Sequence, residues 1–147
     1  MPKIDWIIEI LANGVYCAKC GKVENHFPMY ICNAHTHGMA RYGHQDFQIV
    51  INLHPNQMGY ILNSLGLRVQ AGEQFKAGDL VEGIFERCSF RLDEVEESGR
   101  MVLRVIIPDD QNRFPEDPEC EYPYSYQLVP TDELERKEGS VCGWKLY

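Results

Sequence analysis

Between Phe47 and Val69 the hydrophobic period changes once, and that change constrains the fold more than any other feature of the chain. Phe47, Ile49, Ile51 and Leu53 alternate with Gln48, Val50 and Asn52. This is the period-two pattern of a strand with one buried face. Met58, Ile61, Leu62, Leu65 and Val69 then recur at three- and four-residue steps and end near Gly72, the stripe of an amphipathic helix. Pro55 stands between them, where a first helical turn tolerates proline because its missing N–H would have gone unpaired anyway. Gly59 and Gly66 each lower the intrinsic helix propensity by about 1 kcal/mol relative to alanine. Packing of the stripe has to compensate.

Weaker patterns flank this core. Ile4, Ile7, Ile8 and Leu11 fit one face of a short helix, with Asn13-Gly14 at its end. Val15 to Cys20 reads as a strand, Gly21 to Asn25 as its turn, and Phe27 to Ala34 as the returning strand, with Pro28 near its start. A loop from His35 to Asp46 leads into the alternating segment. Two later strands are expected, Ile84 to Leu92 and Met101 to Ile107, joined around Glu96 to Gly99. Cys88, Phe90 and Leu92 alternate there with Arg87, Ser89 and Arg91, which implies one wet face. Pro108 to Pro123 is a proline-rich acidic loop, Tyr122, Tyr124 and Tyr126 suggest a short last strand, and Thr131 to Gly139 is a charged helix or tail. The order predicts an α+β domain, a mainly antiparallel sheet packed with two main helices, over residues 1–130, with 131–147 as a tail.

At 147 residues the chain suits one domain, and 44% hydrophobic with 24% charged residues is ordinary globular composition. Fourteen basic against twenty-two acidic side chains give a net charge of -8. With no visible basic patch, that field repels a phosphate backbone and argues against nucleic acid as partner. No uncharged apolar run approaches the ~20 residues a membrane span needs. Lys3, Asp5 and Glu9 interrupt the apolar N-terminal residues, and no small-residue cleavage site follows, so the expected location is the cytoplasm. Without an export signal the six cysteines are expected as free thiols, some of them as metal ligands. A homo-oligomer is compatible with this composition.

All five histidines, His26, His35, His37, His44 and His54, fall within 29 residues. Imidazole serves near neutral pH as acid, base or metal ligand, although exposed loop histidines and a capping His54 account for the same cluster. Cys17-x-x-Cys20-Gly21 with Cys32-x-x-His35 has the spacing of a zinc site held on a hairpin. The plain reading beside it is that Cys17 and Cys32 are small buried residues. A redox dithiol is disfavoured because a turn, not a helix, follows Cys20. A Cys32–His35 nucleophile pair has no assignable oxyanion donor. No phosphate-cradling glycine loop is present. The acids at 109, 110, 116, 117 and 119 match no calcium loop.

Several segments together resemble an uncharacterised bacterial family, domain of unknown function 4262. Its pattern Tyr-Thr-x-Gly-Leu, then Gly-His-Pro-Glu-Leu, is similar to His35-Thr36-His37-Gly38-Met39 followed by Gly43-His44-Gln45-Asp46-Phe47. Leu62-Asn63, the stretch from Arg68 to Phe75, Pro108-Asp109 and Phe114-Pro115-Glu116-Asp117-Pro118 follow in the family's order. The resemblance implies one small α+β domain of bacterial or bacteriophage origin and aligns His44, Asp46, Asn63 and Asp109 with recurrent polar positions. His35, His37, Gln45 and the thiols at 17, 20 and 32 depart from the pattern.

Two functions follow as expectations. In the first, the chain binds a small, nucleotide-like or otherwise anionic molecule through His35, His37, Arg41, His44 and Asp46, with Asn63 and Asp109 nearby. In the second, it is a metal-assisted hydrolase with His44 as base and Asp46 orienting it or sharing a metal.

Overall fold

The computed structural model describes residues 3–11, 15–17, 22–24, 27–28, 30–97, 99–131 and 133, without the side chains of 15–17 and 22–24. In chain order the described elements are β1 (Ile7–Leu11), β2 (Val15–Cys17), β3 (Lys22–Glu24), β4 (Ile31–His37), β5 (Phe47–Ile51), α1 (Pro55–Gln70), β6 (Leu80–Phe85), β7 (Cys88–Glu97) and β8 (Arg100–Ile106). Short 3-10 turns lie at Met39–Tyr42 and Tyr124–Tyr126. Six strands form one sheet in the order β1-β4-β5-β8-β7-β6, and β2 pairs with β3 apart from it. Every neighbouring pair in the large sheet is antiparallel except β5–β8. The expected α+β class with a mainly antiparallel sheet holds, but among the described residues there is one α-helix, not two.

The period change at Pro55 works as read. His54 caps α1: its Nδ1 accepts from Asn56 N–H at 3.0 Å, while Gln57 Oε1 accepts from His54 N–H at 3.3 Å. Met58, Ile61, Leu62, Leu65 and Val69 are buried on the helix. They pack into one core with Ala34, Phe47, Ile49, Phe90, Leu92 and Val105 from the covered face of the sheet. After Gln70 the chain turns through Gly72, whose φ of 107° suits glycine.

Four expectations are corrected. The segment Ile4 to Leu11 is not a helix. Ile7–Leu11 is the edge strand β1, with Ile7 opposite His37 and Leu11 opposite Asn33. An eight-residue window satisfies both periods. Three isoleucines favour the extended form, and β4 offers an unpaired edge. The run Ile84 to Leu92 is two strands, β6 and β7, broken by a turn at Glu86–Arg87. The strand expected from Phe27 is shifted to Ile31–His37, so His35 and His37 belong to β4 and not to a loop. Tyr122 to Tyr126 is no strand, because Pro123 takes helical angles and opens the 3-10 turn. Of the charged segment 131–139 only Thr131 and Glu133 are described. Among the described residues no helix is long and apolar enough to cross a membrane.

Candidate functional site

Residues that alternate along a strand share a face, and on the face turned away from α1 the register aligns polar residues across five strands. Glu9 on β1 stands opposite His35 on β4, His35 opposite Gln48 on β5, Gln48 opposite Arg104 on β8, and Arg104 opposite Asp93 on β7. Segment 127–131 covers the middle of this row, so Arg104, Gln48 and His35 are fully buried. Arg104 donates to Gln48 Oε1 (2.8 Å), to the carbonyls of Gln127 (2.8 Å) and Val129 (2.6 Å), and to Thr131 Oγ1 (2.9 Å). Burial pulls its guanidinium down to about 10 against the opposing charges of Asp93 and Glu97, so it remains protonated at neutral pH.

A guanidinium can only donate, and this sets the direction of the whole chain of hydrogen bonds. Gln48 accepts from Arg104 on Oε1, so its Nε2 donates to Asn33 Oδ1 at 2.9 Å. Asn33 Oδ1 also accepts from His35 Nδ1 at 2.9 Å. His35 Nε2 then carries a lone pair, 3.0 Å from His37 Nε2, which donates. Burial is the largest influence on His35. Together with the charges of His37 and Arg100 it outweighs Glu97 and brings the imidazole down to about 4. His37 is half-buried and also lowered, first by burial and then by Arg100, against Asp46, Glu97 and Glu9.

Arg100 holds the acidic side of this corner, donating to Asp46 Oδ2 (2.5 Å), Glu97 Oε1 (3.3 Å) and the Thr36 carbonyl (3.2 Å). The other oxygen of Asp46 accepts from Thr36 Oγ1 (2.7 Å) and Met39 N–H (3.0 Å), and Thr36 Oγ1 accepts from Phe47 N–H (3.0 Å). Gly38 and Gly43, at φ of 126° and 69°, turn the chain between β4 and β5. The Thr-x-Gly and Gly-His-x-acid stretches therefore build a closed corner.

His44 is held within that corner. Its Nδ1 donates to the Gln45 carbonyl (2.8 Å), its Nε2 accepts from Phe75 N–H (3.0 Å), and its ring stacks on Phe47. Both nitrogens are committed to backbone, and Asp46 does not orient the ring. The expected base-and-carboxylate pair is not assembled.

Of the other predicted residues, Arg41 pairs with Asp5 at 3.3 Å on the surface. Asn63 accepts from Trp6 Nε1 at 2.8 Å on α1. Burial would raise the Asp109 carboxyl, but bonds from the backbone and side chain of Arg113 and from the N–H groups of Glu121 and Gln111 overcome it and hold it at about 2. Asp109 thereby organises its own loop. The structure unites His35, His37 and Asp46, with Arg100 and Glu97, which were not foreseen, and leaves the others apart.

Cys32 and His35, the described members of the expected zinc set, do not converge. Cys32 lies among apolar residues, 3.8 Å from Met58 Sδ, and burial pushes its thiol up to about 12. Three positions on, His35 faces the other side of β4. Cys20 and the Cys17 side chain lie outside the described residues. Among the described residues no three His, Cys, Asp or Glu side chains form a metal-holding group.

A cleft of about 590 Å³ opens elsewhere, where the β6–β7 turn, the end of β8 and the start of α1 meet. Leu53, Ile84, Phe85 and Ile107 give it apolar walls, while Arg87, Asp110, Asn112 and Tyr124 bring polar groups to it. Cys88, half-buried, lines the same space, its thiol raised by burial against the charge of Arg87. A more open hollow of about 680 Å³ shares Arg87 and Cys88 on the other side of the turn. Of the residues expected to bind a ligand, Asp109 lines this cleft; the rest of its lining carried no signal in the sequence.

No curated protein and no solved structure matches the chain significantly. Residues 9–121, well over half of the chain, match the model of the family described as Domain of unknown function (DUF4262), and the chain belongs to that family.

Proposed function

We propose that this domain binds a small organic molecule in the cleft between the β6–β7 turn, the end of β8 and the start of α1. The observation that carries the reading is the cleft itself. Its volume of about 590 Å³ lies within the roughly 300–1,000 Å³ usual for ligand pockets. Apolar walls with a few polar groups are the usual composition of such pockets. Glu86 and Asp110 outnumber Arg87 around it, and Asp109 is already bound within its loop. That balance, in a chain of net charge -8, favours a neutral or cationic ligand with an apolar body over a multiply charged phosphate. The hydrolase reading has no support from His44, and in the cleft the Cys88 thiol is raised by burial, which disfavours a thiolate nucleophile there.

Thermal-shift screening of nucleosides, amino acids, amines and nucleotides, followed by calorimetry, tests this. A ligand at a hundred times its Kd stabilises by about 2.7 kcal/mol, or roughly 5–10 °C for a chain of this size. Hits are expected among the neutral and cationic members, and Asp110→Lys, at an exposed position, should weaken a cationic hit without changing stability. No shift from any compound, or unchanged binding by Asp110→Lys together with preferred nucleotides, would defeat the reading.

A further inference from the structure

We propose that His35 and His37 together chelate a divalent first-row metal ion, zinc or nickel, at the edge of the polar sheet face. They sit two apart on β4, so both imidazoles project from one side. Their Nε2 atoms are 3.0 Å apart, with the rings at 83° to each other. Two nitrogens on one metal at about 2.0–2.1 Å stand roughly 3.3 Å apart in a tetrahedron, and about 2.9 Å apart at a right angle. The observed spacing falls between those values, and an ion is reached when the rings turn to aim both nitrogens at it instead of at each other.

The surroundings suit the ligating form. Asn33 Oδ1 accepts the Nδ1 proton of His35, the outer contact that orients metal-binding histidines and leaves Nε2 unprotonated. That orientation is held in turn by Gln48 and Arg104. For His37, the Nε2 proton transfers through water to Nδ1 as the metal takes its place, so neither ring changes charge. Among the described residues, the charged groups facing the pair are Glu9 on β1, Asp46 before β5, Glu97 on β7 and Arg100 on β8. Three carboxylates against one guanidinium favour a cation. Among the described residues no third His, Cys, Asp or Glu side chain converges on the pair, and the two imidazoles are the donors of this proposal. This site is separate from the cleft, and of the metal set expected from sequence it uses His35 and none of the cysteines.

The test titrates the full-length protein with nickel and zinc chlorides by calorimetry and with cobalt by absorption. The wild type should bind one ion per chain with no thiolate-to-cobalt charge-transfer band. His37→Gln, at a half-exposed position, should weaken binding on the order of 10²-fold, as expected when one arm of a two-point attachment is lost. His54→Ser, which keeps a capping side chain, should bind as wild type. Circular dichroism checks that both variants are folded. Absence of binding by the wild type overturns the proposal. So does wild-type affinity in His37→Gln, or a strong thiolate band, which would place the ion on cysteines.

Discussion

Two glycines in one helix should answer the same substitution with opposite signs. A Cβ added at Gly59 meets nothing within 4 Å, so Gly59→Ala gains helix propensity alone and should stabilise by about 0.5–1 kcal/mol. A Cβ at Gly66 would lie 2.5 Å from Trp6 Cζ2, 2.7 Å from Cε2 and 3.0 Å from Cη2. Ordinary contact needs about 1 Å more, and three atoms of a rigid ring cannot all yield. Trp6 is buried, and its Nε1 donates to Asn63 one turn earlier on α1. Pushing the indole away therefore strains a bond worth about 0.5–1.5 kcal/mol and adds overpacking of about 1–3 kcal/mol. After the propensity gain, Gly66→Ala should be net destabilising by about 1–3 kcal/mol. Urea denaturation with a shared m value reads both changes. In a Trp6→Ala background, Gly66→Ala should turn stabilising, which isolates the ring contact as the cause. A Gly66→Ala protein as stable as wild type, or one equally destabilised without Trp6, would refute the packing of β1's leading segment on α1.

The remaining predictions concern the polar face. The folded pKa of His35 is about 4 against an ordinary 6.5, so the unfolded chain binds the extra proton between those values. Stability should be full above about pH 6.5 and fall as pH drops toward 4. His35→Gln should flatten urea midpoints measured across that window, whereas an unchanged slope would place the titration elsewhere. Arg104→Met leaves Gln48 Oε1, two carbonyls and Thr131 Oγ1 without their donor. Each buried acceptor so stranded costs about 1–3 kcal/mol, so a loss of at least 3 kcal/mol is expected, with faster proteolysis in 127–131. Wild-type protease resistance would show that Arg104 does not hold that segment.

What could be read from the chain followed the length of each pattern. β5 and α1 were legible because each keeps its period long enough to exclude the other. β1 was not, because five residues with three isoleucines satisfy a strand and a helix alike. The β6–β7 hairpin was hidden by its turn: Glu86–Arg87 carries none of the glycine, proline or asparagine that usually mark one. The site was legible only in part, for a different reason. His35, His37 and Asp46 are near neighbours in sequence and were gathered. Arg100, Arg104, Gln48 and Glu97 reach them through register, and register is set by pairing between distant strands. The one hint was Arg104 itself, a cation in the middle of the apolar run Met101 to Ile107. Such a residue has to be satisfied by a buried network if the run is a covered strand. The cleft drew its lining from four separate segments, and of these only Asp109 was singled out from the sequence.

The most direct measurement of the central claim follows the thiol already inside the cleft. Cys88 is half-buried there, whereas Cys32 and Cys120 are buried, and peptide mass spectrometry reports its alkylation separately from that of every other cysteine. With a stabilising ligand at a hundred times its Kd, a cleft that is closed by the ligand about 99% of the time should slow Cys88 alkylation by one to two orders of magnitude. A ligand that stabilises the protein while Cys88 reacts at its original rate would place binding somewhere else and contradict the account.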